Sequence, residues 1–104
     1  MEKLYTLLAL TISFGVSAQI TVENTTASGT LSTAIGYFTE ASGDGSTAMG
    51  VDTTASGLEA TAMGYNIVSS GVRSTAVGSE TTSSGDFSTA MGLVTTASGT
   101  DATA

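Results

Sequence analysis

The sequence contains no cysteine, proline, histidine or tryptophan, and only two basic residues against nine acids. Without His or Cys, the usual general base, thiol nucleophile and soft metal ligands are missing. Without Cys there is no disulfide framework. A formal charge of −7 argues against nucleic acid, whose phosphates require Lys and Arg. Charged residues make up only 11% of the chain, low even for a disordered tail. Three Tyr and three Phe are too few for an ordinary globular core. What dominates is Ala, Gly, Ser and Thr, which suggests packing of small side chains by repetition. At 104 residues the chain is no longer than a single domain.

Residues 1–18 read as a signal peptide. Met1-Glu2-Lys3 is a short polar start, and Leu4 to Val16 is mostly apolar, about the length of a secretory h-region. Val16-Ser17-Ala18 is a small-residue site, so cleavage is expected after Ala18. The run falls short of the roughly 20 residues that span a bilayer, and no second apolar stretch follows. No membrane span is therefore expected, and the mature product is exported.

The remainder is periodic. Gly29, Gly36, Gly43, Gly50, Gly57, Gly64, Gly71, Gly78, Gly85, Gly92 and Gly99 stand at an unbroken spacing of seven. Two residues before each is Ala, or Ser at 69 and 83. The residue immediately before alternates between Ser and one of Ile35, Met49, Met63, Val77 and Met91, so the true period is fourteen. Five full units run from Ala27 to Thr96 and a partial sixth ends at Ala104. Residues 27–104 are the repeat region, and 19–26 are expected to form an N-terminal cap.

A period of seven first suggests a coiled coil. Gly at every seventh residue, at about 1 kcal/mol each in a helix, excludes it. Each half instead reads as a short strand followed by a corner where Gly supplies positive φ. Two strands and two turns per fourteen residues make one coil of a slender parallel β-roll, or β-solenoid, whose coils stack about 4.8 Å apart.

Strand alternation decides which side faces in. In Ser32-Thr33-Ala34-Ile35-Gly36, Ser32, Ala34 and Gly36 share one side while Thr33 and Ile35 share the other. The only charged strand residue, Glu40, occupies a Thr33-type position, and a lone buried carboxylate is costly. That side faces out, and the interior is Ala, Gly and hydroxyls. The column Ile35, Met49, Met63, Val77, Met91 is then expected to form an outward apolar stripe that marks an interface between chains; the alternative is that it fills the roll's own interior, with Ser opposite. The two residues after each Gly are exposed corners, carrying Asp44, Asp52, Glu59, Arg73, Glu80, Asp86 and Asp101.

The Ser-Thr-Ala-(Ile/Met/Val)-Gly motif, alternating with Ala-Ser-Gly at fourteen residues, resembles the YadA-like head repeats of trimeric autotransporter adhesins over residues 27–104. The resemblance implies a left-handed, all-β parallel β-roll and a homotrimer. The trimer seam would be Ile35, Met49, Met63, Val77 and Met91, with the eleven grid residues as turn glycines. It also implies display at the outer membrane or outside a Gram-negative cell. No neck, coiled-coil stalk or membrane barrel is found in these residues, so a fragment is expected.

Other chemistry is weakly signalled. Gly43-Asp44-Gly45-Ser46-Thr47-Ala48 fits a dinucleotide fingerprint but has no βαβ context. The corner column Thr30, Asp44, Leu58, Val72, Asp86, Thr100 lacks the repeated acids of a calcium roll. Serine nucleophiles need a base, and the carboxylates stand singly. No catalytic residue, metal or cofactor is expected, and the chain reads as no enzyme. The leading expectation is a structural and adhesive surface module with an unidentified surface or matrix ligand. Its candidate contacts are the corner aromatics Tyr37, Phe38, Tyr65 and Phe87. The alternatives are an ice-binding solenoid, using the Thr33, Thr47, Thr61, Thr75, Thr89, Thr103 column, and a passive spacer for a further domain.

Overall fold

The computed structural model describes residues 22–104. The signal peptide expected over 1–18, and the start of the expected cap, lie outside the described residues. Those residues form a single parallel sheet wound on itself. Its strands are β1 (Val22–Glu23), β2 (Thr26–Ala27), β3 (Thr33–Ala41), β4 (Thr47–Ala55), β5 (Thr61–Ser69), β6 (Thr75–Ser79), β7 (Thr82–Ser83), β8 (Thr89–Leu93) and β9 (Thr96–Ala97).

Every ladder joins residue i to residue i+14. Thr33 pairs with Thr47, Thr47 with Thr61, Thr61 with Thr75 and Thr75 with Thr89. The bridge from Thr89 to Thr103 keeps the same offset. The fourteen-residue unit is thus one rung of a parallel β-solenoid of about five turns, as the glycine grid predicts. The offset also holds before the first grid glycine, where Val22 pairs with Gly36 and Thr26 with Glu40. The described part of the expected cap is itself a rung.

Two corners turn each rung, and they differ. At one, the chain leaves the ladder in a four-residue turn such as Gly43-Asp44-Gly45-Ser46, where the Ser46 amide donates to the Gly43 carbonyl at 3.0 Å. At the other, β3, β4 and β5 run nine residues each straight through the bend. Only Phe38, Asp52 and Asn66 drop out of the pairing there. Two separate strands per rung, as expected, are found in the first described rung, β1 and β2, and in the later ones, where β6 and β7 or β8 and β9 divide the coil.

Glycine does not make the corners in the way the periodicity suggests. The left-handed backbone falls on the second residue after each grid position, with φ between 52° and 69° at twelve successive sites from Asn24 to Asp101, Gly45 among them. Asn and Asp tolerate that region, whereas Leu31, Phe38 and Val94 are unusual there. The rungs hold them in place. At one corner the Gly45, Glu59, Arg73 and Phe87 amides donate to Thr30, Asp44, Leu58 and Val72 one rung earlier. At the other, Glu80 and Val94 donate in the same way to Tyr65 and Ser79.

Of the turn glycines, Gly36, Gly50, Gly64, Gly78 and Gly92 do need positive φ, at 124–135°. The set Gly29, Gly43, Gly57, Gly71 and Gly85 does not. These are glycine because a Cβ would overlap the carbonyl of the equivalent glycine one rung on, as Gly57 against Gly71. Stacking distance, more than turn geometry, selects glycine here.

The interior is narrow and built of small residues, as alternation predicts. Ala41, Ala48, Ala55, Ala60, Ala62, Ala76 and Ala90 are fully buried, with Ser46, Ser74 and Ser88 in the positions between them. A central column of Thr39, Thr53, Ile67 and Thr81 fills the gap, and Ile67 is its largest member. The two serines that interrupt the Ala pattern have partners. Ser69 Oγ lies 2.6 Å from Ser74 Oγ, and Ser83 Oγ 2.6 Å from Ser88 Oγ. Glu40 points outward, as its charge requires.

Candidate functional site

With the interior full of methyls and hydroxyls, binding chemistry belongs to the outer faces and the corners. On one face Ile35, Met49, Met63, Val77 and Met91 are direct ladder neighbours. At about 4.8 Å per rung they make a stripe of about 19 Å. Stacking half-buries the first four, and Met91 is 58% exposed. The Thr33, Thr47, Thr61, Thr75 and Thr89 hydroxyls run alongside in the same register. The other face is Thr, Ser, Glu40 and Val68, with no apolar stripe.

At the corner that β3, β4 and β5 pass through, one column reads Tyr37, Val51, Tyr65, Ser79, Leu93. Beside it stand the left-handed residues Phe38, Asp52 and Asn66. Val51 is shorter than the two tyrosines that flank it. The result is an open groove of about 360 Å³ lined by Tyr37, Phe38, Val51, Asp52 and Tyr65. Phe38 meets Tyr37 edge-on, with centroids 4.5 Å apart and planes at 90°. That is a favourable quadrupolar arrangement, and it fixes the wall of the groove. Asp52 is exposed, and no basic residue partners it among the described residues.

The opposite corner is internally satisfied. Arg73 donates to Glu59 and lies 5.8 Å from the centroid of the Phe87 ring. The hydrogen bond to Glu59, and then its charge, hold the guanidinium pKa above its ordinary value. Asp44 and Asp86 accept from the Thr30 and Val72 amides, each at 2.9 Å, so these carboxylates tie one rung to the previous one. No group of three acids converges as a metal site among the described residues.

The four candidate contact aromatics therefore divide. Tyr37, Phe38 and Tyr65 share one groove, while Phe87 sits at the far corner under Arg73. Val51 and Asp52 complete the groove, and sequence reasoning passed over Val51. Its signal was present, because Val51 stands one fourteen-residue step from both tyrosines. Seeing a groove there also required knowing that the corner keeps its strand pairing.

The family model described as "YadA head domain repeat (2 copies)" matches residues 23–39, 27–53, 41–66 and 69–93, more than half of the chain. No curated protein matches it. Among the described residues no helix is long and apolar enough to cross a membrane.

Proposed function

Because the chain belongs to the YadA head domain repeat family, whose heads are trimeric in general and sit on surface-exposed autotransporter adhesins of Gram-negative bacteria, we propose that it works as an exported structural and adhesive module. Three copies associate through the stripe Ile35, Met49, Met63, Val77 and Met91, and the corners make the contacts that attach the fibre. Residues 1–18 direct export, and the described residues 22–26 begin the stack.

The observation that carries this reading is the outward, uninterrupted apolar stripe beside a face that has none. A continuous apolar column on a narrow rod marks an interaction surface. Sister chains related by a threefold axis would cover all three stripes at once. The stacked rungs would supply rigidity, and trimerisation would multiply each weak corner contact. The ice-binding alternative has less support, because its threonine column lies directly against this stripe and would be hidden with it.

A single substitution tests both parts. Met63→Asp places a charge in the middle of the stripe. It is expected to reduce the sedimenting mass from three chains to one. Beads coated with the variant should be retained on a matrix-protein surface at least roughly tenfold less than wild type, through lost avidity. A trimer that survives Met63→Asp would remove the stripe from the interface.

A further inference from the structure

We propose that the groove lined by Tyr37, Phe38, Val51, Asp52 and Tyr65 receives an arginine side chain of a protein partner. This rests on the reading of the corners as the contact surface and names the chemistry they accept.

Tyr37 and Tyr65 stand two rungs apart in one ladder column, about 9.6 Å along the stack. A group midway between two such rings, over the short Val51, lies roughly 5 Å from each. That is within the ~6 Å over which a cation is attracted to an aromatic face. Phe38 adds a third ring, and Asp52 supplies the only charge in the lining. A planar guanidinium fits between stacked rings and hydrogen-bonds a carboxylate at its edge.

The molecule already contains this chemistry in completed form. At the opposite corner Glu59, Arg73 and Phe87 occupy three successive rungs, with the guanidinium between carboxylate and ring. The Tyr37–Tyr65 corner repeats the carboxylate and the rings and lacks the cation. Arg73, the one base among the described residues, is held elsewhere. The formal charge of −7 attracts a cationic partner at long range and repels an anionic one.

The test uses the tripeptide acetyl-Gly-Arg-Gly-amide, titrated into the chain and followed by amide shifts at residues 37, 38, 52 and 65. The expected result is saturable shifts at those positions, weakened at least tenfold by Asp52→Asn and by Tyr65→Ala. Asn is at home in the left-handed backbone of position 52, so that variant keeps the fold. Asp101→Asn removes the same charge at the other corner and should change binding less than twofold. Equal weakening by Asp101→Asn would reduce the effect to net charge and overturn the site. So would indifference to Tyr65→Ala, absence of shifts in the groove, or equal binding of the isosteric neutral citrulline peptide. Bead retention that survives Asp52→Asn would overturn the arginine site while leaving the adhesive reading standing. Retention lost in Met63→Asp with tripeptide binding intact would leave the site standing without the avidity.

Discussion

A hydrogen in place of a side chain at Gly57 lets two rungs approach to ladder distance. A Cβ there would overlap the Gly71 carbonyl, and the backbone conformation does not itself demand glycine. Ala at this position would be compatible with the local turn and incompatible with the stack. Gly57→Ala is expected to lower unfolding free energy on the order of 3 kcal/mol, since overpacking against backbone cannot relax by rotamer change. Gly45 stands in the left-handed region that Glu59 and Arg73 occupy at the same place one and two rungs on, and a Cβ there would meet only the flexible Glu59 side chain, at 3.3 Å. Gly45→Asn should therefore be nearly neutral. Urea denaturation of the two variants checks the contrast, and equal losses would return the glycines to a turn-forming role. The period-seven grid was legible in the sequence. Its cause was not, because it depends on an atom fourteen residues away.

Each rung is held by its interior as an element. Hydroxyls there are either partnered or not, and the difference follows from which small residue stands opposite. Ser74 bonds Ser69 across the coil and also donates to the Gly71 carbonyl at 2.8 Å. Thr39, Ser46 and Thr53 are buried with no partner for the hydroxyl. Position 41 opposite Ser46 is Ala, so that coil lacks the second hydroxyl. An unsatisfied buried hydroxyl is destabilising, and Ile67 shows that the central column accepts a fully apolar side chain. Thr53→Val should raise stability by about 1 kcal/mol, whereas Ser74→Ala should lower it by a similar amount. Thermal unfolding of both variants followed by circular dichroism reads the two signs. Alternation identified the inward positions correctly, and the outward Glu40 supplied the direction. Which inward hydroxyls meet was not readable, since Ser69 and Ser74 face each other only after the turn between them has closed.

At the scale of the whole molecule, charge and the apolar stripe act in opposite directions on assembly. Chains of formal charge −7 repel one another, and the stripe contains no charged residue to compensate. Screening shortens from about 10 Å at 0.1 M salt to about 3 Å at 1 M. Raising NaCl from about 0.02 M to about 0.5 M should therefore tighten the proposed trimer, as sedimentation equilibrium would show. Binding of an arginine peptide to the corner groove should weaken over the same range, because there the charges attract. Loosening of the trimer with salt would indicate ionic contacts between chains in place of the stripe.

The sequence by itself determined the winding. Fourteen-residue periodicity with glycine twice per period admits few backbones, and period-two alternation with the charge of Glu40 leaves only one side able to face inward, although Asp52 and Glu23 also lie in strands, Asp52 where β4 turns the corner. The tertiary structure decided everything that lies between rungs. It moved the left-handed residue two places beyond the glycine, brought nine of the eleven grid glycines against the carbonyl one rung on, paired the serines, and placed Tyr37 and Tyr65 in one groove while leaving Phe87 with Arg73. The physical reason is range. Periodicity and alternation are properties of neighbouring residues, whereas a carbonyl that forbids a Cβ, or a valine that opens a groove between two tyrosines, comes into contact only when the chain has gone round once and returned.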